Sequence, residues 1–351
     1  MPEPLPLTAA DQVRHDTCPV CGSEETTPFH HGTHQGSSVR HERCVRCSLV
    51  FLNPRPTQAW YDHFFAERYW EDKAKKWNVD AQANVRQWRK QLVRAERYIA
   101  FLTAAGLAPA AGTNFLDIGC AYGLIVRALA DRYRGTACGI EPSHIARRFA
   151  ADESGVKIIA ETSGGLAEWR PEAPVGLVLF SHVLEYIADP NEVFAAIRRL
   201  ISPDGLVLVE TPNIFLMRAA HIHHPYCYSK RSLAALFRRH GFMPAVVEPA
   251  DPFRTALSSG FFTAAARVDT NAEATQVDGR IAAGSRAGLG MNVGQAWFRL
   301  ANRFPLNRLG GLVNGHRRRL SPASQQKLAD LMTRMNERRS ETPRITADHT
   351  S

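Results

Sequence analysis

The stretch Phe115-Leu-Asp-Ile-Gly-Cys-Ala-Tyr-Gly123 decides the reading of this chain. Residues 114–118 read as a buried strand, with Phe115, Leu116 and Ile118 interrupted by Asp117, and residues 124–131 continue with helical spacing. Between them stand Gly119 and Gly123, which let backbone approach a ligand where a Cβ would collide. The N–H groups opening the following helix face the same point. The strict G-x-G-x-x-G fingerprint is absent, because Ala121 occupies the place of its second glycine.

Working outward, strands are predicted at 136–141, 156–160, 175–180, 206–210 and 261–268, alternating with helices over 145–151, 189–201 and 229–240. The best specified is 189–201, where Asp189 caps, Pro190 takes the first turn, Glu192 completes a capping box, and Val193, Phe194, Ile197, Leu200 and Ile201 share one face. Alternation of this kind predicts an α/β fold: a doubly wound, mostly parallel, seven-stranded Rossmann-like sheet. Glu141, at the end of the second strand, is placed to accept both hydroxyls of a ribose.

Ahead of this domain lie Cys18-Pro-Val-Cys21 and Cys44-Val-Arg-Cys47, two C-x2-C turns separated by 22 residues. Each short turn presents two sulfurs, so the four thiolates reach one tetrahedral Zn²⁺, free thiols being the alternative. Four thiolates leave no open coordination position, so the metal is structural. His30, His31, His34 and His41 nearby are expected to face solvent. Residues 1–57 hold too few core residues to fold without such a clip. They read as a small zinc-ribbon-like module, ended by Asn53-Pro-Arg-Pro56 as an extended linker.

In 58–107, Val85, Trp88, Leu92, Ala95, Ile99 and Leu102 recur at steps of three and four, an amphipathic helix serving as linker or as lid over the site. The sheet domain spans 108–268. From 269 to 351 the chain is a basic, partly helical tail with a stripe of Trp297, Leu300, Ala301 and Phe304, fraying after Arg339.

With 44% hydrophobic and 22% charged residues, a chain of 351 residues has the balance of a folded protein and the length for more than one unit. Net charge is +9, and the segment from Thr270 onward holds 13 Lys/Arg against 6 Asp/Glu. That tail suits a solvated surface, anionic lipid, nucleic acid or an acidic glycan. Arg299, Arg303 and Arg308 beside Trp297 and Phe304 could rest peripherally on an anionic inner membrane surface. No charged n-region precedes an apolar stretch, and no apolar run spans a bilayer, which predicts a cytoplasmic protein. Reducing conditions there favour metal over disulfide for the paired cysteines. Cys120, Cys138 and Cys227 read as unpaired.

Four motifs in order carry a family resemblance: Leu116-Asp-Ile-Gly-Cys-Ala-Tyr-Gly123, Gly139-Ile-Glu-Pro142, Ser181-His-Val-Leu-Glu-Tyr-Ile-Ala-Asp-Pro190, and Pro203-Asp-Gly-Leu-Val-Leu-Val-Glu-Thr-Pro-Asn213. Over about residues 110–268 the chain resembles the class I S-adenosylmethionine-dependent methyltransferases. The cysteine knuckles with Leu49-Val-Phe-Leu-Asn-Pro-Arg-Pro56 are similar to the N-terminal zinc module of bacterial methyltransferases in sugar and cell-surface glycan pathways.

The resemblance implies that Asp117, Gly119, Cys120 and Gly123 hold the methionine part of S-adenosylmethionine and Glu141 the ribose. It places Glu161, Thr162 and Ser163 at the adenine edge and Ser181 and His182 at the methyl group. Where many relatives read His-Val-Leu-Glu-His, this chain ends in Tyr186, leaving His182 as base or as hydrogen-bonded support. His224, in His221-Ile-His-His-Pro-Tyr-Cys-Tyr-Ser229, aligns with a histidine that serves some sugar methyltransferases as base, and is the preferred candidate. Tyr226 and Tyr228 either meet a sugar ring or simply pack. The implied acceptor is a small molecule or glycan methylated on oxygen. Alternatives are a ribosomal RNA methyltransferase with a zinc module, a nicotinamide-dependent dehydrogenase, a metal site at His221, His223 and His224, and a non-catalytic binding protein. The cysteine module is not notably basic, which argues against nucleic acid.

Overall fold

A computed structural model describes residues 8–34, 37–68, 81–212, 222–249, 261–270 and 320–341. The 297–304 stripe, the arginines at 299, 303 and 308, and His221 lie outside the described residues. In chain order the cysteine module contributes β1 (Gln12–Val13), β2 (Thr26–His34), β3 (Ser37–Cys44), β4 (Val50–Leu52) and β5 (Arg55–Pro56). Two helices follow, α1 (Gln58–His63) and the long α2 (Ala81–Ala104). Next come β6 (Asn114–Ile118), α3 (Leu124–Tyr133), β7 (Thr136–Ile140), α4 (His144–Asp152), β8 (Lys157–Ala160) and β9 (Val175–Ser181). The remainder is α5 (Pro190–Leu200), β10 (Ile201–Pro212), β11 (Tyr226–Cys227), α6 (Lys230–Arg239), β12 (Phe242–Pro249), β13 (Phe261–Val268) and α7 (Pro322–Glu341).

The main sheet has seven strands in the order β12-β13-β10-β9-β6-β7-β8. β10, β9, β6, β7 and β8 run parallel, while β13 is antiparallel to both its neighbours. Helices cover both faces, so the central strands are apolar on both sides. Leu116, Ile118, Val178 and Phe180 pack with Phe194 and Ile197 of α5 on one face. On the other, Phe115, Leu177 and Leu179 pack with Tyr98 and Leu102 of α2 and Val126 and Leu129 of α3.

Three local differences from the sequence expectation have physical causes. β10 starts at Ile201, because the Pro203-Asp-Gly205 turn is absorbed as a register shift between Ile201 and Leu206. β12 was not foreseen; Pro244 breaks its alternation, and its ladder shifts between Pro244 and Val246. Asp189 caps α5 by accepting from the N–H groups of Asn191 and Glu192, without a reciprocal bond from the Glu192 side chain; the capping box stands instead at α6, between Ser229 and Ser232.

Residues 53–56 are not a free linker. Arg55 and Pro56 pair with Val13 and Gln12, and the buried Arg55 guanidinium donates to His15 Nε2 at 3.0 Å and to the Pro56 carbonyl at 2.7 Å. Nor does the module close on itself. β11, contributed from beyond β10, completes its sheet in the order β11-β4-β3-β2. Val20, Leu49 and Phe51 share one core with Phe194, Tyr226, Tyr228 and Phe237. Asn191 Nδ2 and Arg239 Nη1 donate to the carbonyls of Pro19 and Val20 at 2.7 and 3.0 Å. The expectation that the nearby histidines face solvent holds for His31, whereas His41 is fully buried on β3, paired with Leu52 of β4.

α7 seats Leu331, with Leu320 just before the helix, in a cluster with Trp88 and Leu92 of α2. Lys327 and Arg334 of α7 pair with Asp131 at 2.6 Å and Glu153 at 3.3 Å. No helix among the described residues is long and apolar enough to cross a membrane.

Candidate active site

The four paired cysteines converge. Cys18, Cys21, Cys44 and Cys47 bring their sulfurs within 4.8 Å of one another, with Cys18 to Cys47 at 3.6 Å and Cys21 to Cys44 at 3.5 Å. These separations are far beyond a disulfide bond and close to the ~3.8 Å edge of a tetrahedron with ~2.3 Å metal–sulfur bonds. Three of the four residues are buried. A sulfur-only set of this size fits one structural Zn²⁺.

A cleft opens at the carboxyl ends of β6, β7, β8 and β9, where ligands bind in open α/β sheets. Its lining includes Asp117, Gly119, Cys120, Glu141, Glu161, Thr162, Ser163, Ser181 and His182, nine of the residues named from the sequence. Gly123 opens α3 just behind it. The turn is left-handed at three alternate positions, Gly119 (φ 74°), Ala121 (φ 50°) and Gly123 (φ 71°). A Cβ on Gly119 would lie 2.5 Å from Val183 Cγ2, and one on Gly123 would lie 2.6 Å from Val156 Cγ2. Both glycines are therefore demanded by the backbone and by protein packing, as well as by any ligand.

Glu141 holds this turn in place. Its two carboxylate oxygens accept from the N–H groups of Ala121 at 2.8 Å and Ser143 at 2.9 Å. Asp117 is 1% exposed, and its Oδ1 has no hydrogen-bond partner among the described residues. Burial, reinforced by the neighbouring Glu141 charge, pushes the Asp117 carboxyl well above the usual carboxylate range. A cationic group entering the cleft would restore its charge. Cys120 is buried, and its Sγ occupies the space left by the absent side chain of Gly139. Glu161 is the outermost of the set and pairs with Arg147 at 2.7 Å.

Beneath the cleft is a charged network that sequence reading did not assemble. Glu210, 1% exposed at the end of β10, meets Arg94 at 3.3 Å, Arg97, His182 Nε2 at 2.8 Å and the Thr263 hydroxyl at 3.2 Å. Burial would raise the Glu210 carboxyl, but the His182 bond and the two guanidinium charges outweigh it and hold it at about 2. Glu185 is equally buried, with the Thr211 hydroxyl donating to it at 3.1 Å, and burial pushes it up to about 8. Tyr98 of α2 shares a 2.8 Å hydrogen bond with Ser181 Oγ. Arg97 and Tyr98 stand three and four residues after Arg94 on α2, which puts the three on one helix face without naming Glu210, inside a quoted motif, as their partner.

The two candidate bases are placed differently. His182 lines the cleft in a left-handed conformation (φ 58°). Its Nε2 is engaged by Glu210, while Nδ1 lies 3.9 Å from Glu185, beyond hydrogen-bond reach. Burial lowers its affinity for a second proton by more than the Glu210 bond raises it. His224 is 8% exposed and does not line the cleft; its ring packs edge-on against Tyr186, 4.8 Å between centroids, and it is Tyr186 that faces the cavity. The preference for His224 drawn from the motif is thus not matched by its position. His223 stacks on Phe64 at 4.0 Å, and the cysteine set is the only grouping with metal-ligand geometry among the described residues. Tyr226 and Tyr228 are fully packed, with the Tyr226 hydroxyl donating to the Ala188 carbonyl at 2.8 Å.

The opposite wall comes from α1 and α2 and is polar: Gln58, Asp62, Gln87, Gln91 and Arg94, with Phe65 beside them. Gln58 Nε2 donates to Asp62 at 2.7 Å. Gln91 is 4% exposed, and its Oε1 has no partner among the described residues.

Residues 85–245 match a family model described as a methyltransferase domain, a span running from within α2 to β12. The chain is 33% identical over 115 residues to the ubiquinone biosynthesis O-methyltransferase of Maricaulis maris, covering 31% of this chain and 44% of that protein. It is 34% identical over 107 residues to the protein of the same name from Vibrio atlanticus, covering 29% and 44%. The chain thus spans less than half the length of the curated relatives it matches. Among solved structures it is similar to a magnesium protoporphyrin IX methyltransferase from Synechocystis with TM-score 0.44 and 13% identity, over 60% of this chain and 99% of that one. An S-adenosylmethionine-dependent methyltransferase from Mesorhizobium loti gives TM-score 0.39 and 18% identity, over 49% and 97%.

Proposed function

We propose that this protein transfers the methyl group of S-adenosylmethionine to a hydroxyl oxygen of a sugar, or of a cell-surface glycan or glycolipid precursor. The observation that carries the reading is Asp117 Oδ1, a carboxyl oxygen sealed from solvent, without a hydrogen-bond partner among the described residues, in a cleft lined by the other cofactor candidates. An uncompensated buried carboxyl is costly unless a ligand meets it. The α-ammonium of a methionine fits, and Arg94, the one lysine or arginine among the described residues of the cleft, suits its carboxylate. Glu141 would take the ribose hydroxyls, and Glu161, Thr162 and Ser163 the adenine edge.

When bound, the cofactor supplies an electrophilic methyl on a sulfonium. The task left to the chain is to align the acceptor oxygen behind that methyl, exclude water and take one proton. His182 is the base we favour, because it lines the cleft and its Nδ1 has no hydrogen-bond partner among the described residues. The carboxamides of Gln58, Gln87 and Gln91 with Asp62 form a wall of hydrogen-bonding groups suited to a polyhydroxylated acceptor, and the partnerless Gln91 Oε1 asks for a donor. A second reading, an aromatic acceptor, is favoured by Phe65 and Tyr186, which meet edge-on at 5.2 Å on the same cleft, and the relatives named for ubiquinone biosynthesis make a quinol the acceptor to try.

The test is to incubate the metal-loaded protein with methyl-labelled S-adenosylmethionine and, separately, nucleotide sugars, glycan fractions, a demethylated quinol and RNA. Label in the sugar or glycan fractions supports the first reading, and label in the quinol the second. Label in RNA alone, or calorimetry showing no heat with S-adenosylmethionine or its demethylated product, overturns the proposal.

A further inference from the structure

The Glu210 contacts assign protons. Flanked by Arg94 and Arg97 and accepting from Thr263, Glu210 is ionised at neutral pH, and an ionised carboxylate can only accept hydrogen bonds. The 2.8 Å contact with His182 therefore requires a proton on Nε2. In a neutral imidazole the lone pair then belongs to Nδ1. That atom has no hydrogen-bond partner among the described residues, the ring lines the cleft, and the side chain keeps 19% of its exposure. The backbone enforces the same placement: His182 N–H donates to the Glu210 carbonyl at 2.8 Å, so the two residues are locked at both main chain and side chain.

We propose that Glu210 is a positioning residue: it holds His182 in the Nε2–H tautomer and so turns Nδ1 into the proton acceptor for the hydroxyl being methylated. This rests on reading the cleft as a methyl-transfer site. In the step, an electron pair of the acceptor oxygen forms the new O–CH3 bond. The S–CH3 pair returns to sulfur, leaving a neutral thioether, and the O–H proton passes to His182 Nδ1. The imidazolium so formed faces the Glu210 carboxylate, while Arg94 and Arg97 keep that carboxylate from taking the proton itself. The charged and titratable groups facing His182 are Glu210 and Arg94 and Arg97 behind it, Glu185 across from Nδ1, and Tyr98 through Ser181. Glu185 stands 3.9 Å from Nδ1, beyond hydrogen-bond reach, so it does not compete for the ring as a second anchor.

The experiment is ¹⁵N NMR of histidine-labelled full-length, metal-loaded protein without cofactor, with the His182→Gln spectrum identifying the resonance. The expected result is a neutral His182 with its proton on Nε2 near pH 7. Glu210→Gln is expected to erase that preference and to lower turnover by about a hundredfold, with the acid limb of its pH profile moved to lower pH. Glu210→Asp should restore part of both. An Nδ1–H tautomer in the unmutated protein overturns the proposal without any variant, as does a Glu210→Gln protein that keeps both tautomer and pH profile. If the tautomer behaves as expected but no acceptor takes label, the pairing stands and the proposed activity falls.

Discussion

Tyr226 pairs with Phe51 across an antiparallel ladder, joining a strand from beyond β10 to the sheet of the cysteine module. The same residue donates its hydroxyl to Ala188, next to the cap of α5. The module is therefore part of the wall that carries Tyr186 and His224, and a metal held by its four cysteines would stabilise that wall as well as its own knuckles.

Metal removal is expected to destabilise the molecule as one unit. Calorimetry with and without chelator should show a single transition falling by roughly 10 °C or more, since structural zinc supplies several kcal/mol and the two parts share a core. Two separate transitions, with the larger unmoved by chelation, would mean the module folds independently.

Gly119 should resist substitution for two separable reasons. Gly119→Ala places a Cβ against Val183 and forces a left-handed alanine, together about 2 to 4 kcal/mol. Val183→Ala in the same chain is expected to recover the clash part and leave about 1 kcal/mol of backbone strain. Denaturant titration of the two single variants and the double variant reads the difference.

The two buried glutamates should give opposite pH limbs. Glu185 is raised to about 8, so its contribution is full below its ordinary 4.5 and is lost as pH climbs through 8. Glu210 is lowered to about 2, so its contribution is full above 4.5 and disappears as pH falls through 2. Stability measured against pH should lose its alkaline slope in Glu185→Gln and its acid slope in Glu210→Gln. An unchanged alkaline slope in Glu185→Gln would show that another group sets it.

His224 and His182 should separate in kinetics. His182→Ala is expected to lower turnover about a hundredfold with cofactor affinity little changed. His224→Ala, acting through a gap behind Tyr186, should lower the melting temperature and reduce turnover less than about tenfold. The reverse order in steady-state rates would restore His224 as the base.

Much of the sheet was legible because local chemistry determines it. The apolar run into Gly119, the Asp189-Pro190 helix start and the helix begun at Ser229 are decisions made within a few residues, and the structure places elements at all three. β12 escaped notice because Pro244 interrupts the alternation by which strands are recognised. The Glu210 network escaped because its members come from α2, β9, β10 and β13, and no spacing along the chain announces that they meet.

By itself, then, the sequence determined the cysteine clip, the parallel sheet and the list of residues around its glycine turn, since each follows from short-range periodicity and backbone geometry. Only the tertiary structure decided that His182 lines the cleft while His224 stands behind Tyr186, that Asp117 Oδ1 has no hydrogen-bond partner among the described residues, and that β11 binds the module to the sheet domain. The physical reason is that burial, charge pairing and ring orientation depend on which distant elements arrive at the same place, and that is settled by packing of the whole core.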